Sequence, residues 1–141
     1  MNYNEIYAQS IDSPEQFWET QAKELDWFTH PKTILSKDKN DYPLWFKDGE
    51  LNMCYLAIDK HINDGFGDQI AMIFDSPVTQ NVKKYTYNEV KSEVAKLAGG
   101  LLSLGLKAGH TAIIYMPMIP QAAFAMLACA RIGVTHSVVF G

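Results

Sequence analysis

Asp59 and His61 are the pair in this sequence that first suggests acid–base chemistry, and Cys54 and Cys129 are its two thiols. Asp59 and His61 stand two apart, so on a helix they point to different sides and do not share a proton. His61 reads instead as a helix-end residue suited to the negative end of the helix dipole. The cysteines form no CxxC and belong to no His/Cys cluster with ligand spacing, so they read as two buried thiols in a reducing compartment. A dinucleotide fingerprint GxGxxG, a P-loop GxxxxGK[ST], a GxSxG elbow and an HExxH pair are all missing from the sequence. No catalytic residue and no metal ligand is therefore assigned. What remains is a pair of short stretches near the end, Met116-Pro117-Met118 and Phe140-Gly141, whose interest lies in where the chain places them.

Those stretches sit in the run TAIIYMPMIPQAAFAMLACARIGVTHSVVFG, residues 111 to 141. Thr111 to Tyr115 is short, apolar and β-branched, as a strand buried on both faces should be. Pro117 breaks it, and Pro120 suits the first turn of a helix, where a missing N–H costs nothing. Ala122, Ala123, Phe124, Met126, Leu127 and Ala130 make that helix apolar round most of its circumference. Gly133 can close it in the left-handed conformation. Val134 to Phe140 is the next strand. A β-α-β unit implies parallel strands and a right-handed crossover. Both loops then leave the sheet at the same carboxyl edge, where open α/β sheets bind ligands.

Upstream, Thr86 opens the strongest helix with Glu89 at capping-box spacing. Val90, Val94, Leu97, Ala98, Leu101 and Leu104 form its buried face and Gly105 stops it. Gly99 and Gly100 inside it are a local cost of about 1 kcal/mol each against Ala, which a close neighbouring backbone would explain. Gln69 to Phe74 is a strand, and Lys83 to Thr86 returns as an antiparallel edge guarded by exposed lysines. Leu51 to Asn63 is a helix with Leu51, Cys54, Tyr55, Ile58 and Ile62 on one side and Asp59 elsewhere on the cylinder. Before it, Thr29 to Asp48 is a wandering surface connection pinned by Leu44-Trp45-Phe46. Residues 1 to 30 are helical after a short lead, with Ser13 as N-cap, Pro14 at the first helical position and Gln16 completing a capping box. Phe17, Trp18, Ala22, Leu25, Trp27 and Phe28 supply their aromatic-rich face.

The fold class is α/β: a helical and extended amino-terminal segment, then the first β-α-β units of a larger, mainly parallel sheet. Strands at 69–74, 111–115 and 134–140 would form one layer system of an incomplete domain. The domains are a leader over residues 1–63 and the start of a second domain over 64–141. A hydrophobic content of 48% is that of a globular protein. The formal net charge of -4 and a pI near 5.5 give no electrostatic reason to expect nucleic acid or an anionic membrane. No signal sequence and no membrane-length apolar run is seen, so a cytosolic location is expected.

Tyr115 to Pro120, then Ala125-Met-Leu-Ala-Cys-Ala-Arg-Ile-Gly133, then His136-Ser-Val-Val-Phe-Gly141, resemble the AMP-forming acetyl-CoA/propionyl-CoA synthetases of the adenylate-forming superfamily. The resemblance extends to Phe17-Trp18, Trp45-Phe46, Gly49 to Asn52, Ile58 to His61 and Tyr85-Thr-Tyr87, and so covers nearly the whole chain. It implies a ligase in which a carboxylate attacks the α-phosphate of Mg·ATP, giving an acyl-adenylate and diphosphate, after which CoA displaces AMP. It implies ATP, CoA and Mg2+ for the full-length enzyme and none bound by this stretch alone. In that family the phosphate loop, the nucleotide pocket and the mobile lysine all come later in the chain, so residues 1–141 resemble the opening part and are expected to be inactive alone.

One element does carry over. The family's Phe-Gly-Gly after this strand contributes to the CoA nucleotide site, which maps onto Phe140 and Gly141. An aromatic face can line an adenine, and glycine lets a ligand approach the backbone. Without the resemblance, Phe140 would read as core and Gly141 as a plain turn. Gly109-His110-Thr111 and Thr135 depart from the family's usual residues, at turns rather than at catalytic positions. Asp75 to Val78, with Tyr3 and Ser10 to Asp12, looks more like the propionate-preferring branch. Two alternatives remain: a non-catalytic docking or regulatory module that adds its last strand to a partner, and a free-standing small-ligand α/β enzyme. An uncovered last strand would also let the chain self-associate.

Overall fold

The computed structural model describes residues 2–139, and the chain divides into two compact units, residues 1–51 and 52–141. Both helices and small sheets are present, as an α/β assignment requires.

The first unit begins with α1 (Tyr3–Asp12), a separate helix where the sequence reading places only a short lead before Ser13. Asn2 and Glu5 form a reciprocal capping box there, Glu5 N donating to Asn2 Oδ1 at 3.0 Å and Asn2 N to Glu5 Oε2 at 2.9 Å. Ser13 closes α1 by donating its N–H to Gln9 O, and so stands at a corner with φ -141° and ψ 61°. Ser13 precedes α2 (Pro14–Ala22) as expected, but its side chain caps nothing. The stretch expected to wander contains a small antiparallel hairpin, β1 (Leu35–Lys37) with β2 (Pro43–Trp45). Trp45 meets Trp18 edge-on with ring centroids 6.5 Å apart, and Trp27 meets Phe46 at 5.6 Å. Trp27 Nε1 donates to Ala22 O at 2.7 Å. Ala22 and Ile34 are buried apolar residues of this unit, while Trp18 and Trp45 stay exposed.

The second unit opens with helical turns of unusual register. After Met53 and Cys54 the chain runs through π1 (Tyr55–Asp59) and π2 (Ile62–Phe66), turns bonded i to i+5. Gly65, at φ 91°, ends the run. His61 therefore lies within the helical path and is not at its end; its ring stands 5.0 Å from that of Tyr87. Next come β3 (Ile70–Ser76) and β4 (Asn81–Thr86), an antiparallel pair as expected. Thr86 and Glu89 cap α3 (Tyr87–Ser103) in the expected box. Val90, Val94 and Ala98 are buried and Leu97 and Leu101 partly so, but Leu104 is exposed. Gly99 and Gly100 have nothing within 4 Å of where a Cβ would stand, so among the described residues no close backbone lies beside them.

The β-α-β unit forms as expected: β5 (Thr111–Tyr115), α4 (Pro120–Arg131) and β6 (Thr135–Val139), with the strands parallel. Two expectations about it are corrected. Burial on β5 is one-sided, Ile114 being buried while Ile113 is 73% and Tyr115 71% exposed. Among the described residues β3 is hydrogen-bonded to β4 and to no strand of the β5–β6 pair, so the three strands do not make one sheet. The core instead lies between helices and the β3–β4 hairpin, with Cys54, Ile58, Tyr85, Val90, Val94, Ala98, Phe124 and Ala128 in one buried cluster.

Candidate functional site

The expected site lies at the carboxyl edge of the parallel pair. In the register of that pair Tyr115 faces Val139, so residues 116–119 and the chain after Val139 depart from neighbouring points. Phe140 and Gly141, the two residues assigned to CoA, lie outside the described residues. Ile119 precedes α4 with extended φ and ψ and no side-chain cap, and Pro120 fills the first turn. A groove of about 350 Å³ opens beside this helix start, lined by Met72, Ile73 and Phe74 of β3 and by Met118, Met126 and Val138. The structure thus gathers Met118 with the last strand. Apolar walls of this kind cover hydrocarbon or an aromatic ring and offer nothing to a phosphate.

On the other side of the α4 start, a cleft of about 240 Å³ is lined by Lys83, Glu89, Glu93, Ser92 and Gln121. Its charges are largely committed to neighbours. Glu89 is bonded into the α3 cap, Glu93 pairs with Lys96 at 2.8 Å, and Lys83 lies over the Tyr85 ring at 4.6 Å. Among the described residues no group of three or more His, Cys, Asp or Glu could hold a metal ion. Mg2+ takes one or two carboxylates together with substrate phosphates, and in this cleft Glu89 and Glu93 are already bonded to the α3 cap and to Lys96.

Polar density is concentrated at the opposite, amino edge of β6, where sequence reasoning placed nothing. Asp59 is the buried charged residue of the core among the described residues. Its carboxylate accepts from both Nη atoms of Arg131, at 3.5 Å for Nη1 and Oδ1 and closer for Nη2 and Oδ2, and from Lys91 Nζ at 3.0 Å. Burial pushes the Asp59 carboxyl up, but the hydrogen bonds from Arg131 and Lys91 outweigh it and hold the group below the usual carboxylate range. Burial pushes the Cys54 thiol up, with the Arg131 guanidinium pulling the other way. Both cysteines are free and buried, as expected. Asn52 ties the same region together. Its Oδ1 accepts from the N–H groups of Cys54 and Tyr55, and its Nδ2 donates to the carbonyls of Ala130 and Arg131, both at 3.1 Å.

The placement of Asp59 reverses the sequence expectation for a geometric reason. Helical periodicity of 3.6 turned Asp59 away from Cys54, whereas a turn bonded i to i+5 brings these two residues, five apart, onto one side. The available signal was Arg131 inside an otherwise apolar run, a charge needing a partner. No helix among the described residues is long and apolar enough to cross a membrane.

Comparison with known proteins bears on the whole chain. Residues 3–57 match the family described as acetyl-coenzyme A synthetase N-terminus, and residues 60–141 match the family described as AMP-binding enzyme. The chain is 51% identical over 141 residues to an uncharacterized protein of Pseudomonas aeruginosa, covering 100% of this chain and 22% of that protein. It is 48% identical over 139 residues to the mitochondrial acyl-CoA synthetase short-chain family member 3 of Homo sapiens, covering 99% of this chain and 20% of that one. Against the acetyl-coenzyme A synthetase of Pseudoalteromonas atlantica identity is 45% over 143 residues, covering 99% of this chain and 22% of the relative. The chain thus spans about a fifth of the length of the curated relatives it matches. With residues 60–141 matched, more than half its length, and an acetyl-coenzyme A synthetase N-terminus ahead of them, the chain belongs to the AMP-binding enzyme family.

Proposed function

We propose that this chain is the amino-terminal part of a short-chain acyl-CoA synthetase. The full-length protein would join acetate or propionate to CoA at the expense of ATP, through an acyl-adenylate, with AMP and diphosphate as products. The carrying observation is the order of the two matches, an acetyl-coenzyme A synthetase N-terminus followed directly by an AMP-binding segment. Residues 1–63 act as a leader and residues 64–141 begin the adenylate-forming domain, in which β5 and β6 continue into a larger, mainly parallel sheet. ATP, Mg2+ and CoA are handled mainly by polypeptide beyond residue 141, and residues 1–141 alone are inactive. Phe140 and Gly141 contribute to the CoA nucleotide site. The protein works in the cytoplasm on small molecules, without nucleic acid or membrane.

The test uses the intact gene product. Acetate- or propionate-dependent diphosphate release is expected from it and not from residues 1–141 alone. An intact protein that releases none with either acid would refute the assignment and leave the docking module as the better account. Phe140→Ala in the intact enzyme should raise KM for CoA while leaving carboxylate-dependent ATP–diphosphate exchange unchanged, because exchange precedes CoA attack. Loss of exchange along with CoA use would remove the CoA role from Phe140.

A further inference from the structure

The segment from Asn52 to Gly67 is fixed at its start and held in an uncommon register, with a buried charge cluster at its middle. Asn52 uses its side-chain amide in both directions, accepting from the segment's own first N–H groups and donating to the last carbonyls of α4. Beyond it the Lys60 N–H reaches back to Tyr55 O, the i to i+5 bond of a π turn. In an ordinary α-helix Cys54 and Asp59 would stand about 140° apart round the axis. In the π register they share a side, with Arg131 bonded to the Asp59 carboxylate and its charge acting on the Cys54 thiol. At the far end Gly65 adopts a left-handed φ of 91°, which glycine takes without steric cost, and the chain turns off there.

We propose that Asp59, Arg131 and Lys91 form a charge latch that holds Asn52–Gly67 in its π register against α3 and α4. Without the carboxylate's charge the segment relaxes to α register, Asp59 rotates outward, and Cys54 becomes accessible. Two observations converge on this. The carboxylate is clasped from two different helices, by Arg131 of α4 and Lys91 of α3. The latch is also incompletely satisfied, because Arg131 Nε is buried without a hydrogen-bond partner among the described residues. Single π turns inside helices are rare, and they are frequently found at functional sites.

Cys54 and Cys129 provide the readout, being 0% and 1% exposed in the same unit. Cys54 lies against the latch and Cys129 belongs to α4. The intact gene product is treated with N-ethylmaleimide near neutral pH, and each cysteine's modification rate is read by peptide mass spectrometry. Asp59→Asn is expected to speed Cys54 modification by about tenfold or more, with Cys129 unchanged, as local opening requires. Lys91→Gln, which removes only the half-exposed partner, should speed Cys54 by about threefold, while Lys91→Arg should leave it at the wild-type rate. Both cysteines rising together in Asp59→Asn would mean general loosening and overturn the latch. So would an unchanged Cys54, which would show that packing alone holds the segment. If Lys91→Gln and Lys91→Arg behave alike, charge is not what latches it and the proposal also fails.

Discussion

Asp59 carries the clearest pH prediction at the scale of single residues. Its carboxyl is held below the usual range in the folded protein, so its stabilising charge is fully present above the ordinary value of about 3.9 and is lost as pH falls through the lower folded value. Replacing it leaves Arg131 partly buried with its main acceptor charge gone, a change worth about 3 kcal/mol for a buried pair. Urea unfolding should therefore show Asp59→Asn less stable than wild type near neutrality. The gap should close once pH drops below the wild-type group's folded pKa; a constant gap would mean that shape rather than charge is lost. Gly133 is a second site where one atom matters. Its φ is +70° and an added Cβ would stand 3.1 Å from Ala108 Cβ, so Gly133→Ala should cost about 1–2 kcal/mol by chemical denaturation.

At the scale of elements, α3 contains slack. Gly99 and Gly100 lie in its body with open space where side chains would be, and neither has positive φ. Gly99→Ala and Gly100→Ala should each stabilise the protein by about 1 kcal/mol, read as a shift of the urea midpoint. A loss of stability would reveal a neighbour close to that face in the intact protein. The start of α3 was legible because a capping box is local: Thr86 and Glu89 are three apart and need nothing else. The β5–α4–β6 crossover was legible for the same reason, through its prolines at 117 and 120 and Gly133. The hairpin β1–β2 was not, because three-residue strands show no period-2 pattern and are held by Trp45 and Phe46 meeting rings from distant positions. The π turns escaped for a related reason: their register follows from where Arg131 stands, 72 residues later.

At the scale of the whole molecule, the parallel pair presents Ile113 and Tyr115 to solvent, and neither β5 nor β6 has a second strand partner among the described residues. The 141-residue chain expressed alone should associate as its concentration rises, by apolar contact and strand pairing. Light scattering across a dilution series would show it, and a monomer at every concentration would count against the exposed pair as an adhesive surface. Ile113→Lys together with Tyr115→Lys should reduce the association, because like charges on such a surface oppose stacking. On the proposed function, in which β5 and β6 continue into a larger sheet, the intact gene product should remain dispersed where the short chain does not.

The amino-acid sequence by itself determined the family, through the run from Tyr115 to Gly141 and its echoes upstream, and determined each element whose boundary signals lie within a few residues. It also determined that the residue sets of the familiar nucleotide loops, elbows and metal motifs are not present. Only the tertiary structure decided that β3 stays with β4 instead of joining β5 and β6, and that Asp59 turns inward to Arg131 and Lys91. Caps and prolines act over one helical turn, where sequence distance and spatial distance coincide. Strand partnership and the side a charge faces depend on groups tens of residues away, whose positions the fold alone brings into range.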